Sequence, residues 1–223
     1  MKDYYKDFLN LKNKLESNSV LNVDRFDIEE GLSNANIIMI EEEFKISLPY
    51  GMKELYRSVS TVEFLWTLKD DCGITLQEGD DAGNINGKGY IPDLYTVFNG
   101  PDVDESNEAW KNIFWFPGSM DTQTIEENKK VRPVDFFDNN SGQCVCFLED
   151  EPMHINEKLY LRTKEGKLLP MDVSLEEYIK LMIATSGFVN FQIAHRVKKS
   201  YESQKLKYYL PKIFPGISLK EFE

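Results

Sequence analysis

Leu48-Pro49 cuts an otherwise helical stretch in two. Proline disfavours helical geometry in the residue before it, yet suits the first turn of a new helix, where its missing N–H costs nothing. Upstream, Ile37, Ile40 and Phe44 line one face of an expected helix over 34–45, with Glu41–Glu43 largely turned to water. Downstream, Met52, Leu55, Tyr56 and Val59 follow the i, i+3, i+4, i+7 pattern of a second, shorter helix. Val62–Leu68, rich in β-branched and aromatic residues, then reads as a buried strand, and Ile74–Gln77 is another candidate.

The rest of the chain adds elements on both sides of this unit. Tyr4, Phe8, Leu11 and Leu15 predict an N-terminal helix over about 3–16, while residues 20–33 carry mixed signals and support no assignment. Trp110–Phe116 reads as a strand, and 117–130 is polar and unassigned. Val134–Phe137 and Gln143–Leu148 flank the turn-forming run Asp138–Gly142 and predict a hairpin. Lys158–Arg162 and Lys167–Leu169, around Lys164-Glu165-Gly166, predict a second one. Ser174 and Glu177 form a capping box with Val173 and Tyr178 as its staple, so a helix over 174–186 starts there and stops at Gly187. Phe188–Leu210 then reads as mostly helical and basic, ending at Pro211 and Pro215.

Charge is distributed unevenly. The 223 residues carry a net −12, and the stretch from Glu63 to Glu108 alone holds eleven acidic residues against two lysines. Gly79, Gly83, Gly87, Gly89 and Gly100 in this stretch predict turns and loops. A field of this sign repels phosphate, so nucleic acid and anionic membrane are poor partners, and a basic protein is a better one. The candidate partner-binding residues are Glu78, Asp80, Asp81, Asp102, Asp104 and Glu105, with Trp110 as an aromatic anchor beside them. Trp66, also at the border of the run, reads as core. Apolar residues at 41% suffice for a sizeable core, and no run of about 18 apolar residues predicts a membrane span. The opening MKDYYKDFLNLKNKL lacks the apolar stretch of a signal peptide, which leads to the expectation of a cytoplasmic protein.

Motifs with chemistry are few. Asn84, Asn86, Gly87 and Asp93 fall at calcium-loop positions three, five, six and twelve, but position one is Ala82, where an essential carboxylate belongs. Cys144 and Cys146 share one face of a predicted strand and, with His154, could sketch a zinc site or a Cys–His nucleophile. Val145, Phe147 and Leu148 around them favour buried thiols in a core strand instead. No cofactor or metal is expected, and no catalytic residue. In the tail, Arg196, Lys198, Lys199, Lys205, Lys207 and Lys212 interleave with Tyr201, Tyr208 and Tyr209, a pattern of single-strand binders. The simpler reading is a solvated helix whose tyrosines dock on the domain, or one paired with the acidic section.

The run Ile37…Glu41…Phe44…Leu48-Pro49…Met52-Lys53…Leu55-Tyr56 resembles the SUKH superfamily, which includes bacterial toxin-immunity proteins and a fungal regulator of cell-wall synthesis. Val134-Asp135-Phe136-Phe137-Asp138…Gly142…Cys146-Phe147-Leu148 is similar to the family's central hairpin, and Ser174–Ile179 to its closing helix. The resemblance implies a single α+β domain over 1–223, with an antiparallel or mixed sheet flanked by helices. An acidic insertion at about 69–108 and a basic helical extension at about 188–223 have no counterpart in that pattern. It also implies a non-enzymatic immunity protein that neutralises a cognate, basic, nuclease-type toxin by direct association, or alternatively a regulatory scaffold.

Overall fold

The computed structural model describes residues 2–99, 122–138, 142–151 and 154–222. Helix α1 (Tyr4–Glu16) starts behind Asp3, whose carboxylate accepts the Lys6 N–H at 2.9 Å. Its Tyr4, Phe8, Leu11 and Leu15 are buried, as their spacing requires. Helix α2 (Asn34–Phe44) buries Ile37 and Ile40, and α3 (Tyr50–Ser58) buries Met52, Leu55 and Tyr56. Pro49 stands at the N-cap of α3, one residue ahead of its first turn. Glu41 departs from its expected solvent-facing position. Its Oε1 accepts the Leu48 N–H at 2.7 Å and the Lys53 ammonium at 2.8 Å, which ties α2 to α3 across the proline break.

The architecture is α+β, with two antiparallel sheets flanked by helices. The first sheet runs β1 (Leu21–Glu30), β2 (Val59–Leu68), β3 (Asn86–Ile91) in spatial order. Val59 opens β2 directly from α3, and alternate β2 residues through Val62, Phe64, Trp66 and Leu68 face the core. Strand β3 overturns the expectation that Gly87 and Gly89 mark turns. They pair with Trp66 and Phe64, and a Cβ there would lie 2.3 and 2.4 Å from those rings. The glycines make room for two large aromatics on the neighbouring strand. The same strand occupies the heart of the notional calcium loop. Residues 74–77 form no strand.

The second sheet contains both expected hairpins. Strands β4 (Val131–Asp138), β5 (Gln143–Glu151), β7 (Tyr160–Arg162) and β8 (Leu168–Pro170) lie in that order, and β6 (His154–Ile155) pairs with the end of β5. Val145 and Phe147 join the main core, while Cys144 and Cys146 join Val131 and Phe136 in a small cluster on the other face. Helices α4 (Leu94–Asn99) and α5 (Thr122–Asn128) precede β4. Among the described residues no helix is long and apolar enough to cross a membrane.

Helix α6 (Leu175–Thr185) has both arms of its capping box, and ends with Ser186 and Gly187 at φ 56° and 65°. A Cβ on Gly187 would meet Phe64 at 2.5 Å, so a glycine is required by conformation and by space. The chain then runs along β3, where the Lys88 N–H donates to Gly187 O at 2.8 Å and the Val189 N–H to Asn86 O at 2.9 Å. Helices α7 (Phe191–Arg196) and α8 (Tyr201–Ile213) follow, and α8 continues through Pro211 rather than ending there. Phe188, Phe191, Leu206, Tyr209, Leu210 and Phe214 all enter the main core, so the described residues from 188 to 222 contribute to its interior. The acidic section likewise supplies Ile85, Ile91, Leu94 and Val97 to that core.

Between β3 and β4 the two sheets meet at a buried carboxylate. Asp135, in a register shift of β4, accepts the Tyr90 N–H of β3 at 3.1 Å, Gln192 Nε2 of α7 at 2.8 Å, and the Tyr178 hydroxyl of α6. Burial drives its pKa upward, and those three hydrogen bonds pull it back without cancelling the effect. The folded carboxyl therefore keeps its proton above the unfolded value of about 3.9. Its contribution to stability is full below that value and is lost as pH rises through the folded pKa. Asp135→Asn abolishes this titration, and Gln192 Oε1, buried without a hydrogen bond, can turn to accept the new amide. In urea unfolding between about pH 4 and pH 8, the stability of Asp135→Asn relative to wild type is expected to climb with pH. A pH-independent difference would contradict the raised pKa.

Candidate partner-binding surface

The acidic section and the basic C-terminal helix meet within the chain. Asp80 accepts from Lys205 Nζ at 2.9 Å, the Tyr209 hydroxyl at 2.8 Å and the Tyr201 hydroxyl at 3.3 Å. Around this clamp, the Gln77 N–H donates to Tyr209 Oη at 2.7 Å, and the Tyr208 hydroxyl donates to Thr75 O at 3.2 Å. Helix α8 places Lys205, Tyr208 and Tyr209 on one side because they are three and four residues apart. Burial pushes the Asp80 carboxyl up, but the bonds from Lys205, Tyr209 and Tyr201 outweigh that and hold its pKa below the ordinary value. Its side chain is 4% exposed and that of Lys205 12%. Asp80 is thus an internal anchor, and a charge this enclosed is not offered to a partner. Neutralising all six candidate acids together would loosen this clamp as well as change the surface field.

Of the other residues singled out in the sequence, Glu78 and Asp81 are exposed on the same loop. Asp81 also accepts the Asn84 N–H at 2.8 Å and caps a single 3₁₀ turn. Asp102, Asp104, Glu105 and Trp110, and the expected strand Trp110–Phe116, lie outside the described residues. Trp66 is fully buried and donates its indole N–H to Ser186 O at 2.7 Å.

A surface that the charge count did not single out lies on α2 and α4. Ile38 is 53% exposed, Met39 60% and Tyr95 43%. Met39 and Tyr95 face one shallow dimple with Asp93. Glu42 and Glu43 are exposed one turn along α2, and Glu43 accepts the Tyr95 hydroxyl at 3.1 Å. Behind the dimple, Phe44 packs against Tyr95 and Phe98 and fixes α4 to α2. The available signal was the unbroken run Ile37-Ile38-Met39-Ile40. A helix burying Ile37 and Ile40 turns the two residues between them outward.

The thiols and histidines occupy unlike places. Cys144 and Cys146 are both fully buried, and burial together with its neighbour Cys146 holds the Cys144 thiol well above its ordinary pKa. His154 is exposed on β6. A Cys–His nucleophile needs a thiolate in contact with its base, and burial disfavours that state. Among the described residues, no group of three or more His, Cys, Asp or Glu could hold a metal ion. Arg196, Lys198 and Lys212 of the basic tail are engaged locally, with Pro170 O at 2.9 Å, Glu221 O at 2.5 Å and the Tyr208 ring at 3.2 Å respectively.

No family model matches the chain, and no curated protein or solved structure matches it.

Replacing Asp80 with Asn removes the charge from a nearly enclosed pair and is expected to cost about 1.5–3 kcal/mol at neutral pH. Because the folded pKa is lowered, the wild-type advantage is present above the unfolded value and fades as pH falls through the folded one. Urea unfolding of both proteins from neutral to acid pH measures this. Equal stabilities at neutral pH would mean the clamp contributes nothing.

Proposed function

We propose that this chain is a non-enzymatic binding protein of the toxin-immunity type, neutralising a basic partner by direct association in the cytoplasm. The observation that carries this reading is the α2–α4 face, where exposed Ile38, Met39 and Tyr95 sit beside Glu42, Glu43 and Asp93. Apolar side chains in an acidic surround suit a partner with an apolar spot inside a basic surface. Desolvating an exposed Ile or Met contributes about 1.5–3 kcal/mol. A single exposed charge pair adds only about 0.2–1 kcal/mol, but together the charges steer encounter. A nuclease must present positive charge to phosphate, so an acidic inhibitor complements the surface that such a toxin cannot lose. The resemblance to SUKH immunity proteins points the same way. The burial of both β5 thiols supports a binding role over thiol catalysis.

Co-expression with toxin domains from the same gene neighbourhood tests the reading by survival. Rescue by no such toxin would remove it. With a neutralised toxin in hand, the double variant Ile38→Ser, Met39→Ser is expected to keep its fold, since both side chains already face water. It should shorten the lifetime of the complex about tenfold or more while changing the association rate little. An unchanged lifetime would move the binding face off α2.

A further inference from the structure

A cleft of about 570 Å³ opens where the starts of α3 and α6 approach the first residues of the chain. Its floor is apolar: Tyr4, Phe147 and Leu175 are each at most 5% exposed. Tyr50, at 70% the most exposed large apolar side chain among the described residues, forms one wall. Glu54, Glu157 and Glu176 stand around the opening with Lys2 as their basic counterpart, so the lining carries a net charge of −2. Lys2 pairs with Glu176, which also holds Lys180 at 2.7 Å, and Glu54 holds Arg57 at 3.1 Å. Glu157 is exposed at the lip.

We propose that this cleft receives an arginine side chain presented by a basic partner protein, an inference that rests on the binding function proposed above. Charge complementarity selects the occupant. The peptide dipoles at the start of α3 amount to only about half a positive charge. Those of α6 are already met by the Ser174–Glu177 capping box. Neither outweighs the lining's net charge of −2, in which Glu157 takes no part in the ion pairs found for Glu54 and Glu176. Burial, then the fields of Glu54 and Asp7, raise the pKa of the Tyr4 hydroxyl, consistent with a negative potential at the floor. Arginine suits the geometry better than lysine. Its flat guanidinium stacks on a ring such as Tyr50, forks onto a carboxylate, and lays its methylenes along an apolar floor.

The test needs no toxin. The full chain, labelled with ¹⁵N, is titrated with N-acetyl-arginine methylamide and with the neutral norleucine analogue. The arginine compound is expected to shift the amides of Tyr50, Gly51 and Ser174, with a dissociation constant on the order of millimolar. The neutral analogue should bind about tenfold or more weakly. Tyr50→Ala and Glu157→Gln, both at exposed positions, should each weaken the arginine compound with the spectrum otherwise unchanged. Glu54→Gln adds a third reading if it folds. Equal shifts from the neutral analogue, full binding by the Tyr50 and Glu157 variants, or the same shifts produced by inorganic phosphate would each overturn the proposal. A failed titration leaves toxin neutralisation intact, and failed neutralisation leaves the titration readable, so the two readings fail separately.

Discussion

One carboxylate decides how the two halves of this fold meet. The sheets lie side by side at β3 and β4, yet among the described residues no ladder of backbone bonds runs between them. The Asp135 side chain stands in for that ladder at the Tyr90 N–H, and the same group takes Tyr178 of α6 and Gln192 of α7. Pro133, which has no N–H to donate, and the register shift beside it suit a strand whose outer edge is not paired in the ordinary way. Burial favours the neutral form of Asp135, and the three donors around it offset part of that preference. Tyr178 stacks on Phe191 at 5.7 Å, which carries the constraint from α6 into α7.

The consequences reach the surface. With α6 and α7 held, Gly187 and Phe188 are laid against β3, and α8 is carried to where Lys205 and Tyr209 meet Asp80. One charge of the loop, Asp80, is therefore answered by Lys205 of the tail, and further negative charge is presented elsewhere. Glu42 and Glu43 stand beside exposed apolar side chains on α2, and Glu54, Glu157 and Glu176 surround the cleft at α3 and α6. The Leu-Pro break serves both places, since Glu41 ties the two helices together and Pro49 forms part of the cleft.

Elements whose cause is local were legible in the sequence. The heptad-like spacing of α1, the break at Pro49, the capping box of Ser174 and the Gly166 turn each depend on residues within one or two turns of one another. Strand β1 was not legible, because Asn22, Asp24, Arg25, Asp27, Glu29 and Glu30 are exposed on an edge with two bulges that break the alternation. Strand β3 was hidden by Gly87 and Gly89, whose reason is the pair of aromatics on β2. Asp80 looked like one surface acid among many, because its partners lie more than 120 residues away on α8. Asp135 has the same difficulty in a stronger form, since no property of its own segment distinguishes it from an exposed aspartate. Charge counting picked out Glu78 and Asp81, which are exposed on their loop, but passed over Ile38 and Met39, which are conspicuous only once α2 is known to bury its other face.

The central claim is that this acidic chain acts by capturing a basic partner. The most direct measurement is the association rate with a toxin domain it neutralises, followed across ionic strength from about 10 to 300 mM, over which the screening length shrinks several-fold. Electrostatic capture requires a steep decline, about tenfold or more over that range. A rate that stays level from low to high salt would contradict it.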